Sequence, residues 1–543
     1  MSELRNYNNL YLDLSQSAYE EMPNSFRKRL IRNKEVADLN YSIGTREGNT
    51  EIIGGKNLPN NGIVYVHKDK NTRNVLQNTP NGPIFVKKPL LSDIEEGFNS
   101  YFLTDTPELN KDTKNAYLAV KGSDFPSLDN LYIPLLNDWL GNNYRFVMHD
   151  EYIPQGKLVE EALHVKLAEL REKAPNAKLN ITGHSLGSIA SVQGVAHLSV
   201  EELEQIGEIV VLNGPDTLKS LRQSGVSEEV IQILNEKVTY YVNPFDIVSM
   251  LNRNTDKQLG KVKVIVPFNF STTFDTPSSH DFGEYRIHSD GTILESTEDF
   301  FPDYLRAGQK LSELINKYID IIKAQKGGFA SLLIEGGKFL VEKLLDSLDI
   351  PTDIKYIYPE FIKEYLYTEF MKEYQAIIDE TKQAVIAWGN KNIPILQAAI
   401  QGATGAKKIE LRSRLLLCIS HLSRIESDEK VKLMKNELEN YRQQVKEVVE
   451  KANHEAYHAG ANLGINEVSQ LVSQFRFSMV WDEGMFSNNV DELNRYIDKI
   501  YRFSDKLFTS VETLEDIDRK QSEIFKVVSN SSFSLNSYKI ERG

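Results

Sequence analysis

The chain has 543 residues, 41% hydrophobic and 26% charged, so more than one domain is expected. Its formal net charge is −14. That argues against nucleic acid as the main partner and against simple electrostatic docking on anionic lipid, because both need a basic face, but it leaves open lipid contact through an apolar surface.

In chain order, MSELRNYNNLYLDLSQ at the start lacks the basic and apolar regions of a signal peptide, so any export is expected to use another route. Short β-rich runs follow at 62–67, 116–122, 144–149, 178–183, 208–214, 237–243 and 261–268. Helix-like segments separate them, such as KLVEEALHVKLAELREKA at 157–174. Apolar strands alternating with amphipathic helices predict an α/β domain with a largely parallel sheet over residues 1–300.

After residue 300 the strands stop, and no proline follows Pro394. The segment 326–350 reads as core, lid-like or membrane-touching, with core preferred; its charges Glu335, Lys338 and Glu342 break any spanning run. Helical spacing governs residues 301–543. Met434, Leu438, Tyr441, Val445, Val448 and Ala452 form one narrow seam, and Leu493, Ile497, Ile500, Leu507, Val511 and Leu514 form another, with Ser504 filling a slot. Such seams call for partner helices, either each other or a separate protein. The single cysteine, Cys418, lies in an apolar run and reads as a small buried hydrophobe.

One stretch carries chemistry. In LNITGHSLGSIASV, Gly183, His184, Ser185, Leu186 and Gly187 fit G-x-S-x-G between an apolar strand and a small-residue helix. That is the setting of a nucleophile elbow, where a strained turn exposes the serine and glycines let neighbouring chain pass closely. A serine nucleophile needs a base, and the base needs an orienting acid. Among histidines beyond the elbow and before the helical half, His280 in a polar loop is preferred and His288 in strand-like YRIH is the reserve. Asp246, just past the strand YYVN, is the preferred acid, and Asp216 in NGPDT competes. The oxyanion donors are expected to be the amides of Leu186 and of Ser123, which follows Gly122 in AYLAVKGSDF. This chemistry requires no metal and no cofactor.

A rival signal is HEAYH, where His454, Glu455 and His458 fit the zinc-peptidase pattern H-E-x-x-H. The turn before it is charged, and no convincing third ligand is evident.

From about residue 10 to 290 the chain resembles the class 3, fungal-type lipases of the α/β-hydrolase fold. The resemblance rests on YLAVKGSD, the Asp138-Trp139-Leu140 run, NITGHSLGS, VVLNGP, NPFDIV and the His280 loop. It implies a catalytic Ser185, Asp246 and His280, with Ser123 as an oxyanion donor. Two positions depart from the family: Lys121 stands where it has arginine, and Gly187-Ser188 where it has Gly-Gly.

The whole order, lipase first and helices last, is similar to the lipase effectors of the Gram-positive type VII secretion system with a C-terminal LXG-like targeting domain. That likeness implies a secreted phospholipase A-like toxin directed at competing bacteria. It also implies small helical partner proteins on the C-terminal helices, an immunity protein, contact with the secretion machinery and transient membrane contact. Tyr501 and Asp505 fit the loose Y-x-x-x-D export pattern. The other function classes carried forward are a catalytically inert secretion module and a zinc peptidase.

Overall fold

The computed structural model describes residues 9–18, 40–42, 45–47, 51–53, 63–67, 70–79, 82–93, 96–122, 146, 150–253, 257–275, 278–288, 291–323, 359–460, 462–473 and 475–537. The chain forms two compact units, Met1–Thr381 and Lys382–Gly543.

The first unit is built on a sheet whose spatial order follows the chain over five parallel strands: β9 (Asn115–Val120), β10 (Lys178–His184), β11 (Ile206–Leu212), β12 (Val238–Val242) and β13 (Lys261–Val264). β8 (Phe98–Thr104), β4 (Ile63–Val66) and β3 (Glu51–Ile53) extend it antiparallel beyond β9, and the short β7 (Ser92–Asp93) pairs with β8. Helices connect the parallel strands, as a crossover between parallel neighbours requires. They are α2 (Pro154–Lys173), α3 (Leu186–Ala196) with α4 (Val200–Gln205), and α5 (Leu218–Gln223) with α6 (Glu228–Lys237).

The strands β9 and β10 are buried almost throughout, which is why they read as apolar runs rather than as alternation. The first helix, α1 (Leu10–Ser17), sets Leu10 and Leu14 against Tyr117 and Ala119 of β9, and its Ser15 hydroxyl meets Thr182 of β10 at 2.6 Å. The hairpin of β5 (Thr72–Thr79) and β6 (Gly82–Pro89) forms a two-stranded sheet of its own. The strand expected at 144–149 lies outside the described residues except for Phe146, which is helical, and the segment 326–350 lies outside them entirely.

The strand-rich pattern ends near residue 300, but the first unit continues to Thr381. The reason is packing. Helix α8 (Asp303–Lys323) buries Tyr304 and Leu311, and its Ser312 hydroxyl donates to the carbonyl of Arg253. The opening half of helix α9 (Pro359–Gly402) meets α8 through Lys317–Glu373 and Lys310–Glu380. The division between the units therefore falls inside α9.

The second unit is helical. α10 (Gly405–Ala459) and α13 (Glu483–Ser537) run antiparallel, and the shorter α11 (Ile465–Val472) and α12 (Phe477–Val480) lie between them in the chain. The seam through Ser504 is consumed by this pairing. Ser504 and Ser420 are buried, exchange hydroxyl-to-carbonyl hydrogen bonds at 2.9 Å, and let the two backbones approach. Tyr501 donates to Asp428 at 2.8 Å and Asp505 accepts from Arg424 at 2.9 Å, so both residues of the Y-x-x-x-D pattern join the helix pair. Cys418 is buried, and burial pushes its thiol up to about 12. The seam through Met434, Tyr441 and Val448 fares differently: all three are exposed, Tyr441 by 59%.

Candidate active site

The centre of the site is the turn between β10 and α3. Ser185 has φ 58° and ψ −127°, a conformation that a non-glycine residue adopts only when its surroundings impose it. Four restraints do so. The Ser185 amide donates to the carbonyl of Leu212 at 3.1 Å. The Ser188 hydroxyl reaches the carbonyls of Gly183 at 3.0 Å and Leu212 at 3.1 Å. A Cβ on Gly183 would overlap the carbonyl oxygen of Gly187. A Cβ on Gly187 would sit 2.5 Å from the carbonyl oxygen of Val120. The two elbow glycines thus have separate jobs: one lets the strand meet the helix, and the other lets the helix meet the end of β9. Ser188, where the resemblance expects glycine, ties the turn to β11.

Strand β12 ends at Val242, and the turn that follows delivers Asp246, which is fully buried. Its carboxylate accepts from the amides of Val248 at 3.1 Å and Ser249 at 3.0 Å, from Thr273 Oγ1 at 3.2 Å, and from the Ser249 hydroxyl. His280 Nδ1 completes the shell at 2.8 Å. Of the two candidate acids, this is the one that meets His280. Asp216 instead closes loops, accepting from the amides of Leu218 at 2.9 Å and Leu259 at 2.8 Å; burial raises its carboxyl above the usual range. His288 sits in the turn between the bridged residues Ile287 and Ile293.

His280 is seated on the elbow itself. Its carbonyl accepts from His184 Nε2 at 2.9 Å, and the two rings lie 4.6 Å apart. Burial, and then the neighbouring His280, hold His184 well below the ordinary histidine value, so its ring is neutral and donates through Nε2. Asn213 Nδ2 donates to the same carbonyl at 3.2 Å. Asn213 has φ 45°, and its Oδ1 accepts from the Asn243 amide at 3.1 Å and from Tyr285 at 2.9 Å. One side chain at the end of β11 therefore links the histidine loop to the acid turn.

The Leu186 amide lies in the first turn of α3, where N–H groups have no intrahelical acceptor. Ser123 lies outside the described residues. Lys121 is buried at the end of β9, and its amide donates to the carbonyl of Asn99 at 2.8 Å.

Three contributors were not legible beforehand: His184 as a spacer, Asn213 as a linker, and Tyr374. The last is fully buried on α9. Its hydroxyl donates to the Phe245 carbonyl and accepts from the Thr273 amide at 3.0 Å, and Thr273 in turn donates to Asp246. Burial raises the Tyr374 phenol far above its usual range and keeps its proton in place. The NGP signal after an apolar strand could have flagged Asn213. Nothing in the local sequence flags Tyr374, because its partner lies 101 residues away.

The rival HEAYH site is exposed. His454 and His458 meet each other at 3.0 Å between their Nε2 atoms, one turn apart on α10. Among the described residues no group of three or more histidine, cysteine or acidic side chains could hold a metal ion. No protein-family model matches the chain, and no curated protein matches it.

Proposed function

We propose that the chain is a serine esterase of the α/β-hydrolase type that hydrolyses acyl esters of lipids in the manner of a phospholipase A. The observation that carries this reading is the buried Asp246–His280 hydrogen bond of 2.8 Å, in a loop that rests on the residue preceding a strained Ser185. With Nδ1 donating to Asp246, the basic nitrogen of a neutral His280 ring is Nε2. That nitrogen would take the Ser185 proton as Oγ attacks the acyl carbonyl. The Leu186 amide would stabilise the oxyanion, with Ser123 as the second donor. His280 would return the proton to the leaving alcohol, and water would release the fatty acid. Asp246 has its other donors already in place, so it can hold the imidazole in one tautomer without moving.

The exposed seam of Met434, Tyr441 and Val448 supports the reading of the second unit as a platform for small helical partner proteins. Export by the type VII route, action against competing bacteria and a protecting immunity protein belong to the same proposal and rest on the resemblance alone. Among the described residues no helix is long and apolar enough to cross a membrane.

Fatty-acid release from defined phospholipids and triglycerides, by wild type and Ser185→Ala in parallel, tests the chemistry. Release from phospholipid by the wild type alone is expected. Equal release by both proteins would overturn the assignment of Ser185. Co-expression with small helical proteins encoded nearby tests the platform, and a stable monomer that retains none of them would count against it.

A further inference from the structure

The β5–β6 hairpin is unlike the rest of the first unit. Among the described residues its two strands pair with each other alone, and Leu76, Ile84 and Phe85 are exposed. Leu76 and Phe85 stand directly opposite each other across the two strands, 56% and 76% exposed, while Ile84, also exposed, lies on the other face of the ribbon. Side chains opposite one another on a two-stranded ribbon form one continuous patch. An apolar cluster held out on a projecting ribbon needs something to cover it.

Charge identifies the cover. In a chain of net charge −14, residues 72–89 carry Arg73, Lys87 and Lys88 and no acidic residue. Lys87 is exposed and falls on the same face of the ribbon as Phe85, two residues nearer the base. Arg73 and Lys88 meet Asp93, so Lys87 is the cation set on the face of Leu76 and Phe85. Apolar side chains farther out and a cation nearer the base match the order of acyl chains and anionic headgroups at a bilayer surface. The overall negative charge argues against docking by net charge alone, but screening confines electrostatic attraction to about 8–10 Å, so a local cation beside an apolar pair still acts.

The anchorage of the hairpin places it beside the site. Asp93 of β7 pairs with Arg73 and with Lys88 at 3.2 Å, fastening the ribbon to β7. Asp93 lies opposite Phe98 at the start of β8, the adjacent Asn99 accepts from the Lys121 amide, and Gly187 of the elbow packs against the carbonyl of Lys121. The hairpin is thus fixed at the end of the sheet that carries Ser185.

We infer that the β5–β6 hairpin docks the first unit onto a lipid bilayer bearing anionic headgroups, through Leu76 and Phe85 with Lys87 at the headgroup level. The inference rests on the lipid-ester reading of the site for its substrate, but its binding step stands apart from catalysis.

The test uses full-length Ser185→Ala protein, so that vesicles are not digested. Flotation is measured with vesicles of phosphatidylcholine alone and with added phosphatidylglycerol. In this background Phe85→Asp and Leu76→Asp are each expected to lower partitioning to the anionic vesicles about tenfold or more. Lys87→Glu is expected to lower it less and to flatten its dependence on salt. In the Ser185 parent, the same three changes should leave hydrolysis of a short, monomeric ester unchanged, which also shows that they fold. Partitioning that is equal for all variants, or equal for both vesicle types, would overturn the inference. So would self-association of the parent that Phe85→Asp abolishes while vesicle binding persists, since the patch would then be a protein contact. Absence of ester hydrolysis by the parent, with vesicle binding still lost in Phe85→Asp, would instead sink the esterase reading and leave the docking surface standing.

Discussion

The two units use polar groups in opposite ways. In the first, the buried polar side chains around the elbow converge on one end of a sheet and share several partners. Asp246 accepts five donors, and Asn213 joins two loops. In the second, polar side chains sit along helix surfaces, and the few that are buried, such as Ser420 and Ser504, serve close packing of two backbones. A converged network can position a reacting atom. A helix pair of constant cross-section offers length and surface instead. Even the two seams of the second unit, alike in spacing, differ: one is spent on the pairing of α10 with α13, and in the other Met434, Tyr441 and Val448 remain exposed while Leu438, Val445 and Ala452 are half-buried.

The sharpest break of this contrast is Ser185→Ala. Ester hydrolysis should fall by about 10⁴-fold or more, while thermal unfolding changes little, because Ala removes only a hydroxyl. Activity within tenfold of wild type would place the chemistry elsewhere. Next in size is Leu417→Ala in the paired region of α10. Leu417 is buried, so stability of the second unit should drop by about 2–5 kcal/mol, read by hydrogen exchange in the full chain. Exchange in the first unit should be unaffected.

Two kinds of buried group set how acid acts on the first unit, and they oppose each other. Burial, with Lys166 nearby, lowers His67 to about 4, and His184 is also depressed. A base with a lowered folded pKa binds fewer protons folded than unfolded, so stability falls as pH drops below about 6.5. For His67 the loss is complete near pH 4 and amounts to about 3 kcal/mol. Glu284, pushed up to about 7 by burial, acts in the opposite sense: its folded form holds a proton longer, so its contribution is present below about 4.5 and fades as pH rises to 7. Replacing His67 with Gln should therefore flatten the acid limb of the stability curve. An unchanged acid limb would remove His67 from the account.

Tyr374→Phe should cost about 1–3 kcal/mol, since the Thr273 amide loses its acceptor in a buried site. It should also shift the pH profile of kcat, because Thr273 would no longer be held against Asp246; a loss of stability with an unmoved profile would make Tyr374 purely structural. The smallest effect is expected for Tyr441→Ser on the exposed seam, within about 0.5 kcal/mol. A large loss there would mean that the seam is already covered within the chain.

Much was determined by the sequence alone. The parallel strands announce themselves because both sheet faces are buried, which leaves continuous apolar runs. Gly183 and Gly187 announce the elbow because no side chain fits between β10, α3 and the end of β9. The narrow seams announce long helices, since a 3.5-residue spacing has no other use. Tertiary structure decided the rest. It chose Asp246 over Asp216, because both follow apolar strands and only the path of the 269–281 loop brings a histidine to one of them. It carried the first unit to Thr381, because the burial of Tyr304 and Tyr374 is invisible in the local pattern. It separated two seams of equal spacing, because helix periodicity states that a face is apolar but not what lies across from it. The same limit applies at Leu76 and Phe85: alternation in a strand says which side chains share a face, and only the fold shows that, among the described residues, these two strands pair with no others.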